Sequence, residues 1–512
     1  MAAIDDRTPV LIGVGEASER VSAADYAALS PADLAAAAAR AALADAGVEA
    51  HAHEIDVLAA IRQFEISTPG AAAPFGCSNN FPRSIARRIG ADPARAILEV
   101  TGGQGPQHLV NEFAHEIAAG RAEMALFVGS EAISTVRHLQ ANGQTRDWAE
   151  TVEGALEDRG YGLEGLLSPA LMRHGARAPM HFYALFENAR RAKRGLDRAA
   201  YRAEMGALFA PFTDVAAANP HAMSRERYSA DDLATVTKDN RLVADPFPRR
   251  VVSRDQANQG AAVLMASYGK ARALGVAPEK MVFLRGGADV YERTVMERQD
   301  LAQSPASVLA IRAALKAAGA SMSDIGRFDL YSCFPIAVFN ICDAFGLSAS
   351  DPRGLTLTGG LPFFGGAGNN YSMHAIASMV QTLRREPDAL GLVAANGGFL
   401  SKYSVGIYAA APAPFAPFDS APLQVEINSW PSPVATEAPE GACTIESYTI
   451  DYSAEPRVTI VGRDGQNRRF AAMGAKGDAA IAAKFEAQEP LGAAVEVKLD
   501  DRGALIIADL LA

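Results

Sequence analysis

A chain of 512 residues, 49% hydrophobic and 21% charged, has room for two or three domains and the composition of a globular protein. Its formal net charge of −11 argues against a nucleic-acid partner, because neutralising phosphates takes clustered Lys and Arg. The four cysteines (Cys77, Cys333, Cys342, Cys443) make neither a disulfide framework nor a zinc spacing, and no run of apolar residues is long enough to span a membrane, so a reducing cytoplasm is the expected compartment.

The N-terminus, residues 1–6, is acidic and leads straight into a strand, so it does not read as a secretory signal. The first half then alternates: strand 9–13, helix 31–46, strand 57–62, helix 82–89. Ser30 is placed to cap the first helix, Pro31 opens it and Gly47 ends it. This order predicts a mostly parallel sheet covered by helices. Residues 96–103 follow as a strand ending in Thr101-Gly102-Gly103, then a helix over 106–119 and a strand over 124–128 that ends at Gly129.

Between 131 and 250 the pattern turns polar and helix-rich, broken by Asn219-Pro220 and Pro246-Phe247-Pro248. It reads as an insertion folded over one face of the core, where lids and substrate-binding segments tend to sit. Its basic stretch, Arg190-Arg191-Ala192-Lys193-Arg194, reads first as a solvated helix face and second as a phosphate or nucleotide contact.

The sheet pattern resumes at 260–266. A second half brings strand 281–285, helix 306–318, strand 328–331 and helix 335–345. Residues 355–360 then repeat the first module, as a strand ending in Gly359-Gly360. A glycine loop containing Gly365 and Gly366, a helix over 371–385 and a strand over 390–395 ending at Asn396-Gly397-Gly398 complete the repeat. A last strand covers 404–410. Two copies of a strand, glycine turn, helix and strand predict two similar half-domains facing a shared site, with glycines that let backbone approach a ligand closely.

The Ala/Pro-rich stretch 411–417 reads as a stiff linker. Beyond it, segments 423–427, 444–451, 458–462, 468–472, 494–499 and 504–507 alternate in the strand period. Turns such as Asp464-Gly465 separate them, predicting a small antiparallel barrel of the OB type. Aromatic stacking platforms amid dense basic charge are absent from it, which favours a docking or lid role over nucleic-acid binding.

Four segments carry a family resemblance. Val128-Gly129-Ser130-Glu131 resembles the strand end that follows the nucleophile helix in thiolases. Tyr331-Ser332-Cys333-Phe334 falls where thiolases of the sterol-carrier type carry His-Asp-Cys-Phe. Gln259-Gly260-Ala261-Ala262-Val263 and Asn240-Arg241-Leu242 resemble the family's return from loop to sheet. The resemblance covers roughly residues 7–411, and the chain looks most like thiolase-like proteins with an added C-terminal barrel. It implies an α/β architecture, a duplicated five-layered αβαβα thiolase fold. The divisions are an N-terminal half over 1–270 (with the insertion at about 133–250), a C-terminal half over 271–411, a linker over 412–420 and the barrel over 421–512.

Thiolase chemistry uses a cysteine thiolate at a helix N-terminus, an activating His in a Gly-His-Pro loop and a second cysteine before a glycine turn. Carried over by resemblance, the nucleophile falls on Gly102, the His on Gly366 and the second cysteine on Ala394 or Ala395, while Tyr331 takes an Asn or His position. The ordinary side chains are missing at each. What remains as catalytic candidates is Tyr331, Cys333 and His374, the last being the one imidazole near the glycine loop. Each also has a structural reading, as a core Tyr, a small buried thiol and a core His. Gly102, Gly103, Gly365, Gly366, Asn369, Asn370, Gly397 and Gly398 are the candidates for binding a thioester, although capping alone accounts for the two asparagines. His108 is a weaker candidate, and Glu131 is expected to stabilise a turn in the cleft wall.

The resemblance therefore implies an acyl-CoA partner, no metal, no resident cofactor, and either a homodimer or a monomer. The leading expectation is carbon–carbon bond formation or cleavage without an acyl-cysteine. The alternatives are a catalytically silent acyl-CoA or partner binder and an ordinary acetyl-CoA acetyltransferase.

Overall fold

A computed structural model describes residues 4–511; Met1–Ala3 of the N-terminal reading and Ala512 at the end of the barrel lie outside them. In the first half, β1 (Pro9–Ser18), α1 (Pro31–Ala46), β2 (Val57–Ala60), α2 (Phe81–Ile89), β3 (Arg95–Leu98), α3 (Gly105–Ala118) and β4 (Met124–Ala132) follow one another. The insertion holds α4 (Ile133–Ala141), β5 (Glu157–Asp158), α5 (Pro169–Arg173), α6 (Pro179–Arg194), α7 (Arg198–Ala218), α8 (Ala230–Ala234), β6 (Leu242–Ala244) and β7 (Phe247–Pro248). The core resumes with β8 (Asn258–Ser267), α9 (Tyr268–Ala273), β9 (Val282–Tyr291), α10 (Pro305–Ala317), β10 (Ile325–Leu330), α11 (Pro335–Phe345), α12 (Tyr371–Arg385), β11 (Leu390–Gly397) and β12 (Lys402–Ala409). The remainder is α13 (Ala421–Ser429), β13 (Cys443–Asp451), β14 (Arg457–Arg463), β15 (Arg469–Met473), α14 (Ala479–Ala487), β16 (Ala494–Leu499) and β17 (Leu505–Leu510).

The core strands form one sheet in the order β10-β11-β12-β9-β1-β8-β4-β2-β3-β5, its halves joined where Val10 and Leu11 pair with Phe283 and Val282. Helices α3 and α12 pack on strands of both halves and on each other, as a central layer. Outside, α1 and α2 cover the first half while α10 covers β9 and β12 and packs on α11, which makes five layers. The close approach of α1 explains its composition. A Cβ at Gly13 or Gly15 of β1 would come 2.2 Å from the carbonyl oxygen of Ala42 or Ala38, so this contact takes glycine on the strand and alanine on the helix.

Two expectations about the core need correction. The sheet is mixed rather than mostly parallel: β1–β8, β4–β8, β9–β12 and β11–β12 are antiparallel, and the parallel pairs are β2–β3, β2–β4, β3–β5 and β10–β11. Strands such as β4 and β8 are buried along their full length, so their apolar runs carry no alternation that would mark the direction of pairing. The strand expected over 355–358 does not form. The segment runs beside β10, with Leu330 N–H on the Leu355 carbonyl, but the buried Asp329 carboxylate takes the N–H groups of Leu357 and Thr358 and the hydroxyls of Thr356 and Thr358. A side-chain acceptor thus replaces a strand ladder.

The added domain closes into a five-stranded barrel in the order β13-β14-β15-β17-β16-β13, with α14 between its third and fourth strands, the arrangement of an OB fold. One closing contact, Met473 with Ile506, is parallel; the other pairs are antiparallel. The segment 423–427 is not a barrel strand but the middle of α13. Leu423 packs on the core and Ile427 is buried while Val425 is exposed; over five residues a period of two and a helical i, i+4 face coincide. The linker is anchored too. Phe415 and Phe418 pack edge-on against His115 of α3, with ring centroids 5.3 and 4.4 Å away.

The barrel is knitted to the core. Asp451 of β13 pairs with Ala244 of β6, extending the barrel sheet onto the insertion. The fully buried Arg469 donates to the Val295, Met296 and Arg298 carbonyls and to Glu446, while Arg191 of α6 forms a bidentate pair with Glu489. No helix among the described residues is long and apolar enough to cross a membrane.

Candidate active site

The two glycine turns meet at the base of a cavity of ≈ 450 Å³ between the halves. Gly102 has φ +143°, and its N–H donates to Asn369 Oδ1 at 3.0 Å. Asn369 in turn donates both hydrogens of its amide, to the Arg62 carbonyl and Ser67 Oγ at 2.8 Å each. It therefore staples the first half's turn to the second half and keeps no hydrogen for a ligand. A Cβ at either Gly102 or Gly397 would lie within 2.1 Å of Gln104 Oε1, so this buried side chain fills the gap between the turns. The sequence reading missed Gln104; its one signal is its place among glycines at the start of α3.

Gly103 faces the cavity differently. A Cβ there would come 2.2 Å from Tyr331 Oη and 2.7 Å from the Asn396 carbonyl oxygen. A side chain at position 103 would thus run into the Tyr331 phenol of the other half, whereas one at position 102 would run into Gln104. Among the described residues nothing hydrogen-bonds the Tyr331 hydroxyl, and the N–H groups of Gly103 and Gly398 find no acceptor.

Behind Tyr331, Asn396 Nδ2 donates to Tyr183 Oη (2.8 Å) and contacts Cys333 Sγ (3.7 Å), and the Tyr183 hydroxyl donates to the Gly398 carbonyl (3.0 Å). Burial pushes the Cys333 thiol up to about 12 and raises the Tyr331 and Tyr183 phenols well above their ordinary value. At neutral pH all three are protonated: they can donate hydrogen bonds but offer no thiolate and no base. Leu163, Leu166, Leu167, Phe334 and Phe399 give the rest of the cavity an apolar wall.

Of the sequence candidates, the cavity brings together Tyr331, Cys333, Gly102, Gly103, Gly366, Asn369, Gly397 and Gly398. It leaves out His374, Asn370 and Gly365. His374 is fully buried in α12, with Nδ1 2.6 Å from Glu16 Oε1 and Phe364 edge-on at 5.0 Å; the helical spacing that put it near the glycine loop turns it to the core. Asn370 donates to the Gly129 carbonyl at 2.7 Å. Gly365 faces Met223 and Gln259.

Glu131 accepts from Phe64 N–H at 2.7 Å beneath Gly368, and burial raises it to about 8. His108 lies 3.4 Å from Asp289, beside Glu99 and Glu112. The ligand atoms of Glu99, His108 and Glu112 lie within metal-binding reach of one another, but Arg159 already holds both glutamates at 2.6–2.7 Å and supplies the positive charge.

At Ser253 and Asp255 the cavity adjoins a smaller pocket of ≈ 200 Å³ lined by Arg241, Arg249 and Arg254, with Ser453 of the barrel domain on its edge. Among the described residues none of these arginines forms an ion pair, whereas Asp255 is paired with Arg137 at 2.5 Å. Cations without carboxylate partners at a cavity mouth are suited to phosphate groups.

Residues 422–502 match the family described as the thiolase-like protein type 1 additional C-terminal domain. The whole chain is similar to a solved structure of a monomeric SCP2-thiolase like protein type 1 from Mycobacterium smegmatis, with 43% identity, 99% of this chain and 100% of that one covered, and a TM-score of 0.85. The fold is shared more distantly with an Ltp2-ChsH2(DUF35) aldolase (19% identity, 79% and 98% covered, TM-score 0.57). It is shared likewise with human mitochondrial 3-ketoacyl-CoA thiolase (16% identity, 80% and 100% covered, TM-score 0.56). A comparison with curated proteins finds no match.

Proposed function

The chain belongs to the SCP2-thiolase-like proteins of type 1, and from that premise we propose that it handles acyl-CoA thioesters in the cavity between its halves, making or breaking a carbon–carbon bond without an acyl-cysteine. The observation that carries this reading is the juxtaposition at the first glycine turn: Gly102 and Gly103 present no side chain there, and the Tyr331 hydroxyl, which hydrogen-bonds to none of the described residues, stands against Gly103.

In this proposal the thioester carbonyl lies toward the start of α3. The protonated Tyr331 phenol and the N–H groups of Gly103 and Gly398 stabilise the oxyanion or enolate that develops when the bond next to it breaks. The leucine wall takes the acyl chain, and Arg241, Arg249 and Arg254 take phosphates outside. Retro-aldol cleavage of a 3-hydroxyacyl thioester would break the bond between C2 and C3 and release a carbonyl product, the 3-hydroxyl proton passing to solvent and the enolate taking a proton back from solvent at C2. Retro-Claisen cleavage of a 3-ketoacyl thioester needs a second molecule, free coenzyme A, as the attacking thiol, because Cys333 is held as a thiol; the coenzyme's sulfur forms the new thioester at C3 and its proton passes to the enolate carbon.

The protonation of Tyr331, Tyr183 and Cys333 also favours a second reading, binding without turnover, since none of these three groups can serve as a base. Following thioester absorbance with acetoacetyl-CoA plus CoA, and then with a 3-hydroxyacyl-CoA, separates the two. Turnover that falls by about 10²-fold or more in Tyr331→Phe, with thioester binding retained, supports the first. Binding with no turnover of either thioester establishes the second, and absence of binding overturns both.

A further inference from the structure

A second cavity, of ≈ 440 Å³, lies in the seam between the core and the added domain, reached along α6. Tyr183 lines the first cavity and Arg190 the second, seven residues or ~10 Å apart along the helix axis. The start of α10, the end of α11 and α13 with Trp430 supply the other walls.

Three features there are unexplained by the fold. Asn340, 5% exposed, lines the cavity, and its side-chain amide hydrogen-bonds to none of the described residues. The N-cap residue of α10, Ser304, provides no side-chain cap, and the N–H groups of Ala306 and Ser307 find no acceptor among the described residues beside the lining formed by Ser304 and Pro305. Arg312, about two turns further along α10, has no carboxylate partner among the described residues.

The remaining cations are paired: Arg190 with Asp343 and Glu204, Lys193 with Asp300, and Arg194 with Glu204. Lys193 and Arg194 are about half exposed, so their pairs are weak and yield to a stronger anion. The α13 wall is the converse, with a Glu426 carboxylate that pairs with no cation among the described residues, beside the Trp430 indole. The cavity is thus polarised, with donors and cations at one wall and an acceptor and an aromatic face at the other.

We propose that the seam cavity binds a phosphorylated nucleoside whose base carries an amino group. The phosphate sits at the start of α10 with Arg312 and the Asn340 amide, where helix N–H groups and dipole favour it. The base lies against Trp430, and its amino group donates to Glu426. The volume falls in the ordinary range of small-ligand sites. The proposal is independent of whether the first cavity turns over a thioester.

The test is calorimetric titration of the full chain with ADP and with adenosine. The wild type is compared with Arg312→Glu, Trp430→Ala and Asn340→Leu, and with Arg254→Ala at the mouth of the first cavity; ligand-free melting shows that each variant is folded. The expected result is ADP binding at least tenfold tighter than adenosine and weakened tenfold or more by the folded seam variants, with Arg254→Ala reporting any separate binding at the first cavity. Coenzyme A, the other source of an adenine nucleotide, is titrated into the same set. Loss of its binding in the seam variants assigns the cavity to the nucleotide end of coenzyme A, and retention assigns it to a free nucleotide; both uphold the site. The proposal is overturned if the wild type does not bind ADP, if the seam variants bind it as well as the wild type, or if only Arg254→Ala loses it.

Discussion

Gly103 and Tyr331 compete for one small volume, and that competition is measurable. Alanine at position 103 meets the Tyr331 hydroxyl and the Asn396 carbonyl, so Gly103→Ala is expected to lose about 1–3 kcal/mol of stability, as overpacked sites do. In a Tyr331→Leu background part of that loss disappears, leaving a favourable coupling of about 1 kcal/mol in a double-mutant cycle of denaturant unfolding. Additive effects would show that the two positions do not share the space. Cys333 makes a separate prediction. A thiol held up at about 12 contains almost no thiolate at pH 7, so iodoacetamide should leave Cys333 unlabelled over hours in the folded chain, as read by peptide mass spectrometry. Rapid labelling at neutral pH would place a thiolate in the cavity and reopen it as a nucleophile. Part of this site was legible in the residues themselves: a glycine at each turn and Tyr331 at a strand end. What escaped was pairing across the halves. That Asn369 has no spare hydrogen and that His374 faces Glu16 depend on partners at least 267 residues away, and Gln104 fills a gap whose far side is Gly397 of the other half. No local pattern encodes such distances.

At the scale of elements, α6 is the member that connects the two cavities, and it carries a buried acid between them. Glu187 accepts from the Tyr201 hydroxyl (2.7 Å) and from Ile336 N–H (3.1 Å), and burial raises it to about 8. Its folded pKa lies above the unfolded value near 4.5, so the folded chain holds a proton that the unfolded chain has released. The contribution of Glu187 is fully present below about pH 4.5 and is lost as pH rises through about 8. Unfolding free energy measured across that window should therefore fall, and Glu187→Gln should flatten the slope; a slope that is unchanged in the variant would mean Glu187 is ionised in the fold. The elements also show where reading a sequence succeeds. α1, with Ser30, Pro31 and Gly47, stands where its caps put it, because capping is local chemistry. Residues 355–358 and 423–427 differ because the deciding partner lay elsewhere: the Asp329 carboxylate for one, and the core surface under Leu423 and Ile427 for the other.

Across the whole molecule the barrel behaves as part of the core. Arg469, Arg191 and the β6–β13 pairing tie it to segments far away in the chain, and both arginines are buried. Scanning calorimetry should show one unfolding transition rather than two, and Arg469→Ala, which strands several carbonyls and Glu446, should lower it as a unit by about 3–5 kcal/mol. Two separable transitions would show a domain that folds alone. The mixed sheet and the seam were the least visible features from sequence, because both are properties of how distant segments meet. The contact between Gly103 and Tyr331 is itself such a meeting, one residue from each half of a duplicated core. Its consequence concerns substitution: any side chain placed at position 103 must displace the Tyr331 phenol, so the two positions can change only together, and each half limits which residues the other can carry.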